Sequence, residues 1–212
     1  MAEFKTYKHN PPHLFKSNAK YFITASTFEG EPFLRLSTAK EILYSSLQIE
    51  FTKYHWEIED WVILDNHYHL MVNAPEDSTT LLTIFKEAHR FTALWIKKNL
   101  NILLNNLESN NFNIDTLESN ILEFDTLESI NSVDGELTWL NLKNELTRLI
   151  QSKKVFYNYW DTCITYENSY FTRLNYIWFN PVKHGYVDSP EKWVITEIIQ
   201  NPKYSDLLLF EI

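Results

Sequence analysis

A β-branched and aromatic run is followed by a helical pattern, two adjacent strand patterns, a longer helical pattern, a compositionally distinct stretch, an aromatic strand and a last helix. That order predicts an α+β fold: a ferredoxin-like antiparallel sheet with helices packed on one face, plus an acidic insert and a C-terminal tail. Composition agrees, because 212 residues that are 44% apolar and 16% aromatic can bury a core; disorder across the whole chain is excluded and one domain spanning 1–212 is favoured.

Each element has a local reason. Tyr21–Phe28 is rich in strand formers and ends at Glu29-Gly30-Glu31-Pro32, a turn composition. Ser37 stands as an N-cap ahead of Thr38-Ala39-Lys40-Glu41, and apolar residues then recur through Phe51, so a helix is expected over Ser37–Tyr54. Trp56–Leu64 and His67–Val72 read as two strands broken at Asp65-Asn66, which makes them antiparallel neighbours. From Ser78 to Asn99, Leu81, Ile84, Phe85, Ala88, Phe91 and Trp95 fall near a 3.6-residue period, the signature of an amphipathic helix.

Texture changes after that helix. Asn-Leu-Glu-Ser at 106–109 and Asp-Thr-Leu-Glu-Ser at 115–119 and 125–129 form a short tandem repeat, too brief to carry a solenoid. A helix is expected over Leu137–Gln151, then an aromatic strand over Val155–Ile164. Tyr166–Phe179 reads as a helix that Asn180-Pro181 should stop, since proline disfavours helical geometry in the residue before it. The stretch from Ser189 to Ile212 reads as an appendage.

The formal charge of −9 argues, taken alone, against a polyanionic partner. Its distribution reverses the argument. Residues 101–150 hold nine acids and two bases, a local charge of −7, so everything else sums to −2 and can still present a basic face. The insert reads as a solvated elaboration, or as acids that mimic DNA and occlude a site. Cys163 is the single cysteine, which excludes an internal disulfide and a cysteine-rich zinc site. No signal-peptide pattern follows Met1-Ala2-Glu3-Phe4-Lys5 and no 18-residue apolar run occurs, so the chain reads as soluble and cytoplasmic, with no membrane partner.

Two constellations carry chemistry. In His67-Tyr68-His69, residues i and i+2 of a strand project from one face, so both imidazoles can converge on one metal ion; the plain alternative is two ordinary strand histidines with satisfied hydrogen bonds. In Tyr176-Ile177-Trp178-Phe179-Asn180-Pro181, Tyr176 and Asn180 stand at i and i+4, so a phenol and an amide can approach one site. The plain alternatives are a packing aromatic and a helix C-terminal residue. His55 and His89 belong to no paired spacing and read as structural.

Together the stretches Leu64-Asp65-Asn66-His67-Tyr68-His69-Leu70-Met71-Val72 and Leu174-Asn175-Tyr176-Ile177-Trp178-Phe179-Asn180-Pro181-Val182-Lys183-His184-Gly185-Tyr186-Val187 resemble the REP-associated tyrosine transposases, single-tyrosine members of the HUH endonuclease and transposase superfamily. The resemblance implies a domain that binds single-stranded or hairpin DNA and cleaves and rejoins it with a divalent metal, Mg2+ or Mn2+. It further implies that His67, His69 and Asn180 ligate the metal, that Tyr176 is the nucleophile forming a 5′-phosphotyrosine, and that Tyr68 points into the core.

Lys86, Arg90, Lys97 and Lys98 on the second helix, with Arg173, Lys183 and His184 near the tyrosine motif, are candidate phosphate contacts. Tyr157, Tyr159, Trp160 and Trp178 can stack on bases, although packing is the expected role for most of them. The chain departs from the family pattern at Thr162, where relatives often have histidine, near Thr165, where they have arginine, and at Trp178, a common histidine position. Those departures favour an alternative, a domesticated hairpin-binding protein without cleavage. A third reading, a hydrolase using His67, His69 and Cys163, needs Cys163 to approach the pair. Whether the chain acts as a monomer or a homodimer is left open by the sequence.

Overall fold

The computed structural model describes residues 3–7, 10–108 and 135–193. Its centre is a four-stranded antiparallel sheet in the order β4-β5-β3-β6, built from β3 (Lys20–Thr27), β4 (Glu57–Ile63), β5 (His67–Asn73) and β6 (Phe156–Ile164). The helices are α1 (Ser37–Lys53), α2 (Leu81–Glu108), α3 (Gly135–Gln151) and α4 (Glu167–Lys183). Strand order and connections make this the ferredoxin-like α+β arrangement that the pattern of elements predicts.

Alternation in β3 sets the two faces of the sheet. Tyr21, Ile23, Ala25 and Thr27 are buried while Lys20, Phe22, Thr24 and Ser26 are half-buried. The first set joins Tyr68, Leu70 and Val72 of β5 under α1 and α2, whose Leu43, Leu47, Phe51, Ile84 and Phe85 complete the main core. A one-residue slip of β3 would exchange these faces, so this burial fixes the register.

Helices do not lie on one face only. Val62 and Leu64, from β4 and the residue after it, and Met71 of β5 present a second apolar surface, and α4 covers it with Ile177, flanked by Tyr170 and Trp178. Strand β5 is therefore buried on both sides, from Tyr68 through Val72. Two polar ties fasten α4 to β4: Trp178 Nε1 donates to Asp60 Oδ2 at 2.7 Å, and the Tyr170 hydroxyl donates to Glu59.

Several boundaries differ from the pattern-based expectation, each for a physical reason. Helix α4 runs through Asn180-Pro181 to Lys183. Pro181 forfeits one late hydrogen bond, and the helix then closes with Gly185 N to Val182 O at 3.0 Å and Tyr186 N to Pro181 O at 2.9 Å, Gly185 taking the positive φ that such a cap requires. In α1 the residue before the helix is Leu36 and Ser37 is the first helical residue, so Ser37 is not the N-cap. Helix α2 continues past Asn99 to Glu108 because Leu100, Leu103 and Leu104 extend its apolar stripe against the core.

An N-terminal hairpin of β1 (Glu3–Tyr7) and β2 (Asn10–Phe15) was not indicated by the sequence pattern, since Pro11 and Pro12 argue against a central strand; a separate two-stranded sheet tolerates them. Within the acidic stretch, α3 packs Leu146 and Leu149 into the main core, and Glu145 pairs with Arg35 at 3.2 Å. The repeat copies at 115–119 and 125–129, and the tail beyond Trp193, lie outside the described residues. Among the described residues no helix is long and apolar enough to cross a membrane.

Candidate functional site

Pleating of β5 sends Tyr68 one way and His67 and His69 the other. Tyr68 is fully buried in the main core, with its hydroxyl 2.6 Å from His89 Nε2. Both the inward path of Tyr68 and the structural place of His89 agree with the sequence reading. On the opposite face the rings of His67 and His69 lie 5.2 Å apart, centroid to centroid.

Each imidazole is held through Nδ1. Asn66 Oδ1 lies 2.7 Å from His67 Nδ1, and the Thr24 hydroxyl lies 2.8 Å from His69 Nδ1. The His69 ring is also stacked on Phe22 at 5.4 Å. Nε2 of His69 is buried without a hydrogen-bond partner. Burial pushes His69 down to about 3, with His67, His184 and Lys183 adding to the depression; burial, followed by His184, also lowers His67. Near neutral pH both rings are uncharged and can offer lone pairs.

Helix α4 brings the other half of the site. The Tyr176 ring stands edge-on to His69 at 5.0 Å and is 37% exposed, open to an incoming ligand. One turn later, Asn180 is fully buried and neither Oδ1 nor Nδ2 makes a hydrogen bond of good geometry, although the amide approaches His67 closely enough to oppose the lowering of its pKa. An unpartnered buried amide beside an unpartnered buried imidazole nitrogen costs stability. Such a pair fits a cation that accepts nitrogen and oxygen donors, and Mg2+ or Mn2+ matches the amide oxygen better than a thiolate-seeking metal does. Among the described residues no group of three His, Cys, Asp or Glu is placed to hold a metal, and the polar side chain beside the His pair is the amide of Asn180.

Basic side chains gather around this centre. Lys183 Nζ lies 4.9 Å over the Tyr176 ring, the His184 ring is 4.8 Å from His67, and Arg173, hydrogen-bonded to Ser169, lies 5.7 Å over Phe22. Lys86 and Arg90 are not part of the cluster: they belong to α2, which packs on the other face of the sheet, and Arg90 pairs with Glu87 at 2.8 Å. Lys97 is a structural residue, since its ammonium donates to the carbonyls of Leu149, Ile150 and Ser152 at the end of α3. Cys163 packs against the main core, away from the His pair, and burial raises its thiol pKa.

Of the four aromatics considered for base stacking, Tyr159 is buried and Trp178 is tied to Asp60, while Tyr157 and Trp160 are exposed. The pattern of the chain did not single out Thr24, Phe22 or Asp60. Thr24 becomes visible only through the register that sets it opposite His69. The available signal for Asp60 was a carboxylate set directly before the apolar run Trp61-Val62-Ile63.

Fold and site together define a ferredoxin-like α+β chain whose second sheet face carries a His-x-His strand under a tyrosine-bearing helix. A solved structure of a REP-associated tyrosine transposase bound to a REP hairpin is similar to it with a TM-score of 0.50 and 17% identity, over 100% of this chain and 89% of that one. No protein-family model and no curated protein matches the chain. At that identity the likeness speaks for the fold.

Proposed function

We propose that this chain binds single-stranded, hairpin-bearing DNA and cleaves and rejoins it in a transposition reaction, with Tyr176 as nucleophile. One observation carries the reading: the Tyr176 ring meets His69 at 5.0 Å where the buried Nε2 of His69 and the amide of Asn180, which approaches His67, make no hydrogen bond of good geometry. The motif resemblance and the likeness to the hairpin-bound transposase support it.

His67, His69 and Asn180 are the residues that would hold Mg2+ or Mn2+. The chemistry supplied by the bound ion is neutralisation of charge developing on the scissile phosphate. Lys183 and His184, on the side of Tyr176 and His67, bind and orient neighbouring phosphates. The Tyr176 oxygen attacks phosphorus, the bond to O3′ breaks, the phenol gives up its proton and the departing O3′ takes one up. A 5′-phosphotyrosine and a free 3′-hydroxyl result, and the reverse attack by a 3′-hydroxyl rejoins a strand without loss of the phosphodiester energy.

The test is a labelled hairpin oligonucleotide bearing a single-stranded flank, incubated with Mn2+ and run under denaturing conditions. A covalent protein–DNA adduct is expected from the wild type and none from Tyr176→Phe. An equal adduct from Tyr176→Phe overturns the nucleophile assignment, and tight hairpin binding without any adduct across several metals favours the non-cleaving alternative.

A further inference from the structure

We propose that Trp160 is a stacking platform for an unpaired base one or two nucleotides from the phosphate bound at the His pair. This rests on the DNA reading and adds to it a contact that the motifs do not contain. Helix α4 buries Val62, Leu64 and Met71 on the β4–β5 half of its sheet face. On the β3–β6 half α4 reaches Phe22 and Ile164, while Trp160, 55% exposed, and Thr162 on β6 stay open to solvent.

Register places the indole. Thr24 pairs with His69 on one side and with Trp160 on the other, so the three residues share one face of adjacent strands. Two strand spacings separate Trp160 from His69 along the backbone, roughly 10 Å, a distance that one or two nucleotides span. Arg173 lies over Phe22, which pairs with Thr162 two residues along β6 from Trp160, so a cation stands over the same sheet face as the indole. An aromatic face and a cation on one surface fit a nucleotide, with its base on the indole and its phosphate toward the guanidinium. Every base has a π-face, so the contact should tolerate sequence.

The test uses the full chain and two fluorescent probes: a thymidylate dodecamer and an abasic oligomer with the same number of phosphates. Wild type, Trp160→Phe and Trp160→Ala are titrated in EDTA to prevent cleavage. Trp160→Ala should weaken binding to the thymidylate oligomer about tenfold, Trp160→Phe should lose about twofold, and the abasic oligomer should bind wild type and Trp160→Ala equally. Thymidylate binding by Trp160→Ala as tight as wild type overturns the platform and leaves the DNA reading standing. An equal loss on the abasic oligomer also overturns it, because the residue then acts through charge or fold. Failure of the wild type to bind the thymidylate oligomer overturns the platform, while the DNA reading is decided by the hairpin adduct assay above.

Discussion

Replacing Asn180 with leucine separates the requirements of the site from those of the fold. Asn180 is fully buried, and its two amide heteroatoms lack hydrogen bonds of good geometry. Leaving a buried polar group unsatisfied costs about 1–3 kcal/mol, and leucine has nearly the same shape. Allowing for the approach of the amide to His67, Asn180→Leu should gain about 1–2 kcal/mol in metal-free buffer. For a domain of this size that is a rise of about 2–8 °C in Tm. With Mn2+ the order reverses. A ligand present at a hundredfold excess over its Kd stabilises the folded state by about 2.7 kcal/mol, and a variant without the third donor should lose most of that gain. The assay is thermal unfolding of both proteins in EDTA and in a MnCl2 series. Asn180→Asp, which keeps an oxygen donor but buries a charge, should show the opposite profile: lower stability in EDTA and a retained Mn2+ response. If Asn180→Leu is destabilised in EDTA, or gains as much from Mn2+ as the wild type, the reasoning about the unpartnered amide fails.

Other expectations follow from named contacts. His89 is stacked on Phe156 at 4.1 Å and held by burial at a pKa of about 3. Its folded value is depressed, so its contribution is fully present above the unfolded value near 6.5 and is lost as pH falls toward 3, because the unfolded chain takes up the proton first. As the residue keeps some solvent contact, the wild type should lose about 1–2 kcal/mol more than His89→Gln between pH 7 and 5 in urea unfolding; parallel pH profiles would exclude the effect. Lys97→Met leaves three carbonyls without their ammonium and should cost about 1–3 kcal/mol of stability with no change in the salt dependence of DNA binding. Lys183→Met should do the converse, lowering the slope of log affinity against log salt by about 0.7 on single strands while leaving Tm unchanged; equal slopes would remove Lys183 from the phosphate contacts.

The parts of the fold legible in the sequence are those that depend on local period. The β-branched and aromatic content of Tyr21–Phe28 and the His67-Tyr68-His69 tripeptide placed two central strands and the direction of three side chains, and the i, i+4 spacing of Tyr176 and Asn180 put them on one helix face. What the sequence did not disclose depends on partners distant in the chain. Thr24 meets His69 only through strand register, and Lys97 looks like a solvent-facing cation until the end of α3 arrives beneath it. Pro181 read as a stop because the rule for proline is local, whereas burial of Leu174, Ile177 and Asn180 and the Gly185 cap hold the last turn together. The position of α4 on the reverse face is likewise decided by Val62, Leu64 and Met71, which no pattern within α4 announces.

Tyr68, between the two histidines, has consequences for how such a chain can diverge. Its ring fills the main core and its hydroxyl reaches His89, while its neighbours face α4. Folding constrains the middle letter of the tripeptide and, under the function proposed above, chemistry constrains the outer two. A lineage relieved of strand cleavage can therefore let His67 and His69 drift to apolar or small polar residues with little penalty to the sheet, but it must keep a large side chain between them. Loss of activity in such descendants should be written first in the outer letters, and a retained aromatic flanked by altered neighbours would mark a former catalytic strand.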